Sequence, residues 1–291
     1  MTTPMNILIT GSNGQLGNEC RQLSALYPDS HFVFTDVDTL SITNPDAVEA
    51  IFSQYAFDYC INAAAYTAVD AAEQDRDNAF AVNAAAVGYL AAACQRYQCR
   101  LIHISTDYVF NGENANGYDT NDDVEPINVY GESKLEGERL ALQYDAESIV
   151  IRTSWVYSYY GKNFVKTMMR LMQEKDELSV VCDQTGRPTY AADLAKAIFH
   201  IIYHHAEPQP GLYHFANQGV ITWYDFACAI KEIGDYTCQI HPIPSTAYPV
   251  PAKRPRFSIL KTDKIVTTFG VNIPEWRESL KACMELLMAS H

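Results

Sequence analysis

Several common features are missing from this 291-residue chain, and each absence removes a class of function. Basic residues are in the minority. Lys and Arg number 21 against 35 Asp and Glu, a formal net charge of −14. That balance excludes non-specific binding to nucleic acid, which needs a basic surface. It also means that an anionic ligand must be held by local donors against an unfavourable overall field. No apolar run approaches the ~18 residues of a membrane span. The start, Met1-Thr2-Thr3-Pro4, carries neither a basic segment nor an apolar one, so no signal peptide is expected. The eight cysteines (Cys20, Cys60, Cys94, Cys99, Cys182, Cys228, Cys238 and Cys283) form no C-x-x-C pair and no Cys/His ligand spacing. They read as small, reduced, buried or half-buried thiols. No internal repeat and no low-complexity linker breaks the chain. A cytoplasmic protein with neither a membrane nor a nucleic-acid partner is expected.

What is present is an alternation of strand and helix. Met5–Thr10 reads as a short buried strand, followed by Gly11-Ser12-Asn13-Gly14-Gln15-Leu16-Gly17 and a helical pattern to Leu26. Further strands are expected at 31–36, 57–62, 101–105 and 148–152, with helices at 46–54, 78–97 and 128–144. Five such alternations over about the first 155 residues predict a parallel, doubly wound α/β sheet. The alanine-rich helix over 78–97 is expected to pack on that sheet rather than on a second subunit. Beyond Tyr157 the pattern loosens into helices at 163–173, 191–203, 222–233 and 274–287. Short strands at 178–181 and 211–215 lie between them. We expect a Rossmann-type domain over 1–155 and a mainly ligand-binding α/β region over 156–291, with segments near 190–225 packing back onto the first.

Four places carry candidate chemistry. A glycine-rich turn between strand and helix lets the backbone approach a diphosphate and aims helix N–H groups at it. The spacing is G-x-x-G-x-x-G, not the better known G-x-G-x-x-G. Asp36 ends the second strand, where a carboxylate can accept from a ribose 2′-hydroxyl and repels a 2′-phosphate. Ser105-Thr106-Asp107 closes the fourth strand, at the edge where open α/β sheets bind ligands. Tyr130 and Lys134 stand four apart, on one face of a helix if the segment is helical. An ammonium beside a phenol favours the phenolate and makes the phenol a better acid. With 19 tyrosines in the chain, one such pair is expected on the order of once by chance, so it gains weight only from its company.

That company is a set of motifs in one order: Thr10-Gly11-x-x-Gly14-x-x-Gly17, Asn62-Ala63-Ala64, Ser105-Thr106-Asp107 and Tyr130-x-x-x-Lys134. Together they resemble the extended short-chain dehydrogenase/reductases. Longer stretches narrow the resemblance. They include Asn62-Ala63-Ala64-Ala65-Tyr66-Thr67-Ala68-Val69-Asp70, Ser105-Thr106-Asp107-Tyr108-Val109-Phe110 and Arg152-Thr153-Ser154-Trp155-Val156-Tyr157. Asp183-Gln184-x-Gly186-x-Pro188-Thr189 and Arg254-Pro255-x-x-Ser258-x-Leu260 complete them. Over nearly its whole length the chain is similar to the dTDP-4-dehydrorhamnose reductase family.

The resemblance implies reduction of the C4 ketone of a dTDP-keto-sugar by NADH or NADPH. It makes Tyr130 the acid, Lys134 its partner and a ribose contact, and Thr106 the hydroxyl on the substrate carbonyl. Cofactor contacts fall on Gly11, Asn13, Gly14, Gln15, Leu16, Gly17, Asp36, Ala63, Ala64 and Ala65. Substrate contacts fall on Thr106, Asp107, Trp155, Asn163 and Arg254. Tyr108 stands where 4,6-dehydratases of sugar nucleotides carry a second acid, which argues against that activity. Two departures stand out. Asp36 is followed by Val37 where many relatives have arginine, and Ser41-Ile42 replaces an Asp-Ile pair. Some relatives are described as magnesium-dependent. Glu19 sits near one such ligand position, but the helix after Thr189 lacks a matching glutamate, so no metal is expected. The resemblance leaves a homodimer open. It also leaves two rivals: a non-catalytic binding protein like the regulatory subunit of methionine adenosyltransferase, and another keto-sugar reductase or epimerase.

Overall fold

The computed structural model describes residues 4–289. The reading of the first three residues as leaderless lies outside them. Six parallel strands form the central sheet: β1 (Asn6–Thr10), β2 (His31–Phe34), β3 (Tyr59–Asn62), β4 (Arg100–Thr106), β5 (Ile149–Thr153) and β6 (Gly211–His214). Their order is β6-β5-β4-β3-β1-β2. The chain leaves β1 for β2 on one side and returns to its other side at β3. The strand ends of β1 and β3 therefore frame the crevice where the winding reverses, the usual ligand site of such sheets.

Strands buried on both faces read as continuous apolar runs. Ile7, Leu8 and Ile9 of β1 and Ile149, Val150 and Ile151 of β5 are completely buried. On one face lie helices α1 (Gln15–Ser24) and, far along the chain, the helix Ala191–His204, which bring Cys20, Leu194 and Ile198 onto β1 and β5. On the other face lie α2 (Pro45–Gln54), α3 (Ala86–Tyr97) and α4 (Val129–Tyr144), bringing Phe52, Leu90, Cys94 and Ala141 against Leu8 and Val150. The alanine-rich helix thus buries its apolar face within the chain. It is interrupted by a π-helical turn at Ala81–Ala85 that no sequence signal announced.

The sheet has one strand more than the first 155 residues supply. Gly211–His214 pairs in parallel with β5, from Gly211 opposite Ile149 to His214 opposite Arg152. The helix Asp263–Phe269 adds Ile265 and Phe269 to the β1 and β5 core, while most of the remaining elements gather round a separate apolar cluster. Helix α5 (Phe164–Glu174) contributes Met168 and Met172. The helices Trp223–Ile233 and Trp276–Ala289 add Phe226, Ile230, Leu280 and Met284. Thr222 starts the first of these with a reciprocal capping box to Asp225. No helix among the described residues is long and apolar enough to cross a membrane.

Candidate functional site

A cleft of about 880 Å³ opens at the carboxyl ends of β1, β3, β4 and β5. Its floor is the glycine turn. Gly11 has φ +64°, and a Cβ there would lie 2.5 Å from the Ala64 nitrogen. A Cβ at Gly17 would lie 2.4 Å from the Gly11 carbonyl oxygen. Only glycine lets turn, helix and the Ala63-Ala64 segment meet this closely. Helix α1 begins at Gln15 with no side chain capping its N-terminus and no acid in its first turn. Its free N–H groups and dipole suit a diphosphate. These features fit a dinucleotide, with Gly11, Asn13, Gly14, Gln15 and Leu16 on the lining and Gly17 behind it as a packing residue.

Asp36 faces the same cleft. Its carboxylate accepts from Asn13 N–H and from Val37 N–H, both at 2.8 Å, so it braces the glycine turn. Two bonds leave a carboxylate with accepting capacity to spare. Leu40, Ser41, Ile42 and Thr43 continue the wall, so the Ser41-Ile42 segment lines the cleft although it lacks the usual carboxylate. The cations on the lining are Lys134 and Lys162. Sequence reading overlooked Lys162. Its neighbour Gly161 packs on the Gln15 side chain, which lays this loop across the glycine turn.

At the other end Thr106, Tyr130 and Lys134 converge. Asn128 places the helix. Its side chain accepts from Gly131 N–H at 2.8 Å and donates to the Lys253 carbonyl at 2.7 Å. Thr106 ends β4, and its hydroxyl donates to Asp107 Oδ1 at 3.0 Å. The Asp107 carboxyl is buried, and its Oδ2 has no partner within the chain. Burial raises its pKa to about 7, against the pull of the nearby Ser258 and Thr106 hydroxyls.

Lys134 is almost wholly buried. Its Nζ donates to the Ile104 carbonyl at 2.6 Å and lies 3.4 Å from His103 Nε2. Burial brings its pKa down to about 8, with Glu138 opposing. The expected depression of Tyr130 is not what the structure holds. Burial pushes this phenol up to about 12; the main opposing effect is a hydrogen bond with Thr106, and the Asp107 charge adds to the rise. Lys134 is turned toward β4, which is why its charge does not dominate the phenol.

Trp155 lines the cleft from the β5 side. Its φ of +48° lies in the left-handed region, uncommon and costly for a non-glycine residue. Neighbours hold it there. Its ring stacks on Trp223 with centroids 3.7 Å apart, and Ser154 donates to the Arg187 carbonyl at 2.6 Å. Two expected contacts lie elsewhere. Asn163 is off the lining: it caps α5 by accepting from Lys166 N–H, and its amide donates to Gln15 Oε1 and to the Ser158 carbonyl. Arg254 is also off the lining and is bound to Asp70. Glu19, weighed as a metal ligand, is buried and accepts from Ser158 at 2.6 Å, and burial raises its pKa. No cluster of three or more His, Cys, Asp or Glu suited to a metal occurs among the described residues. The eight cysteines are free thiols.

The sequence profile of the RmlD substrate binding domain family matches residues 5–288. The chain belongs to this family. A dTDP-4-dehydrorhamnose reductase of Aggregatibacter actinomycetemcomitans is 42% identical over 287 residues, 94% of this chain and 97% of the relative. The crystal structure of a dTDP-4-dehydrorhamnose reductase from Clostridium acetobutylicum superposes with a TM-score of 0.94 at 39% identity, covering 98% of this chain and 100% of that one. The enzyme of the same name from Bacillus anthracis, solved in complex with NADP, gives 0.93 at 37%, with coverage of 98% and 100%. The RmlD family thus accounts for both the sheet and the cluster of elements beyond it.

Proposed function

We propose that this chain reduces the C4 ketone of dTDP-4-dehydro-β-L-rhamnose to dTDP-β-L-rhamnose, with NADH or NADPH, in dTDP-rhamnose biosynthesis. The observation that carries the reading is the meeting of Thr106, Tyr130 and Lys134 in the same cleft as the glycine cradle. Family membership supplies the substrate class.

The nicotinamide, when bound, supplies the hydride. The chain's own residues do the rest. Gly11, Gly14 and the N-terminus of α1 hold the diphosphate, and Asp36 takes the ribose. Hydride arrival leaves negative charge on the substrate oxygen. Tyr130 donates its proton there, and the Thr106 hydroxyl, turned away from Asp107 Oδ1, donates a hydrogen bond that strengthens as the charge grows. A phenol with a pKa of about 12 holds its proton firmly until that charge develops. Lys134, charged below a pH of about 8, stabilises the phenolate once its ammonium swings from the Ile104 carbonyl toward it. Trp155 walls the sugar. Asp107, on the cleft lining, takes a sugar hydroxyl on its unpaired Oδ2. The part of 156–289 that does not pack back onto the sheet mainly holds the sugar nucleotide, and the cytoplasm is the expected site of action.

The test is loss of reduced-nicotinamide absorbance when the purified protein meets a panel of nucleotide-linked keto sugars. Turnover of the dTDP-linked 4-keto sugar alone meets the expectation. Cofactor binding without turnover on any of them would favour the binding-protein reading.

A further inference from the structure

A hydrogen-bonded chain runs beneath the cleft from β1 to Lys134. Thr10 Oγ1 donates to Asn62 Oδ1 at 2.7 Å, and Ala64 N–H donates to the same oxygen at 3.2 Å. A backbone N–H can only donate, so the oxygen end of the Asn62 amide is fixed. Its nitrogen therefore faces His103 Nδ1, at 3.1 Å, and donates to it. Nδ1 then bears no proton, and a neutral imidazole must carry its proton on Nε2. That nitrogen lies 3.4 Å from Lys134 Nζ. Asn62 and His103 are completely buried. Burial, then the Lys134 charge, hold the His103 pKa well below the ordinary value, so the ring is neutral.

We propose that His103 is a positioning residue of the reductase: its fixed Nε2–H points at Lys134, disfavours the ammonium form, and so adds to burial in lowering the pH above which activity is lost. The proposal rests on the reductase reading above. An N–H dipole aimed at an ammonium repels it, whereas the same N–H can donate to a neutral amine. Lys134 meets few other charges. On its own helix are Tyr130, one turn back, and Glu138, one turn on. Glu138 is clasped by Arg152 of β5 at 2.8 and 2.7 Å and accepts from Ser105 of β4. Asp107 and Tyr108 follow β4. On the helical turns packed against α4, Asp70 is tied to Arg254, Arg76 is paired with Glu132 near solvent, Glu73 is exposed, and Asp77 stands beside Arg76. His103 is the group on β4 whose proton placement is dictated from outside, by Asn62.

His103→Asn is the diagnostic change. Its Oδ1 can replace Nδ1 as the acceptor for Asn62, while its amide N–H, one ring atom short of Nε2, no longer meets Lys134. The alkaline limb of kcat/KM should move up by about half a pH unit or more, which is about a threefold gain in activity retained above the limb. KM for the cofactor at pH 7 should stay near the wild-type value. A wild type that turns over, with a folded variant whose limb is unmoved, overturns this proposal alone. A wild type that reduces no keto sugar overturns the reductase reading and the proposal with it. Should the variant not fold, ¹⁵N NMR of the wild-type histidines decides. A bare Nδ1 and a protonated Nε2 on His103 are expected, and an Nδ1–H tautomer or an imidazolium at pH 7 would overturn it.

Discussion

Arg254 clasps Asp70 with two hydrogen bonds, Nη1 to Oδ1 at 2.9 Å and Nη2 to Oδ2 at 2.7 Å. The guanidinium holds this carboxyl below its usual range. The pair ties the proline-rich segment before Phe257 to the short helical turn Val69–Ala72 after β3, beside the Tyr108 wall of the cleft. Both side chains are partly exposed, and such pairs contribute little to stability. The tie therefore matters for where the segment sits. Arg254→Ala should raise KM for the sugar nucleotide by about tenfold, because the segment that it anchors at the cleft edge loses its place. It should barely move KM for the cofactor or the melting temperature. Steady-state kinetics in each substrate separates these. Unchanged KM values would make the pair a surface strut.

Asp107 gives a pH signature. Its folded pKa is raised to about 7 from 3.8, so between those values the folded protein holds a proton that the unfolded chain releases. The contribution is fully present below the unfolded value and is lost as pH rises through about 7. Asp107→Asn has no carboxyl to ionise and escapes that loss. Its melting temperature relative to wild type should therefore be higher at pH 8 than at pH 5. An equal difference at both pH values would mean that the carboxyl ionises freely.

Cofactor choice follows from the Asp36 end of the cleft. Val37 is largely exposed, and the lining there offers a carboxylate and no arginine for a 2′-phosphate. NADH should be used at least as well as NADPH. A preference for NADPH of about tenfold or more in kcat/KM, some 1.4 kcal/mol, would contradict this. Lys162 would then be the cation to suspect.

Much of this was legible in the sequence because local physics decided it. The five early strands are short apolar runs bounded by turns, and the glycine turn declares itself by spacing. Asn128 announces the start of its helix. The failures are non-local. Gly211–His214 reads as a strand and falls in the segments near 190–225 expected to pack back onto the first domain, as it does, but nothing local names β5 as its partner. Asn163 looks polar and available, yet its amide is spent on capping α5 and on Gln15. The partner of Arg254 lies 184 residues away. Tyr130 and Lys134 were correctly placed one helical turn apart, but spacing cannot show that the lysine turns toward Ile104 and His103. Lys162 carried no signal beyond a glycine before it.

The most direct measurement compares Tyr130→Phe with wild type in kcat, read by nicotinamide absorbance, and in cofactor affinity, read by fluorescence. Lys134→Ala serves as the contrast and should lose both turnover and affinity, since the proposed role joins a charge to a ribose contact. If Tyr130 is the proton donor, Tyr130→Phe lowers kcat by about 10²- to 10⁴-fold, the usual worth of a positioned acid, while the cofactor still binds. A Tyr130→Phe enzyme that turns over within about threefold of wild type would show that the proton comes from elsewhere.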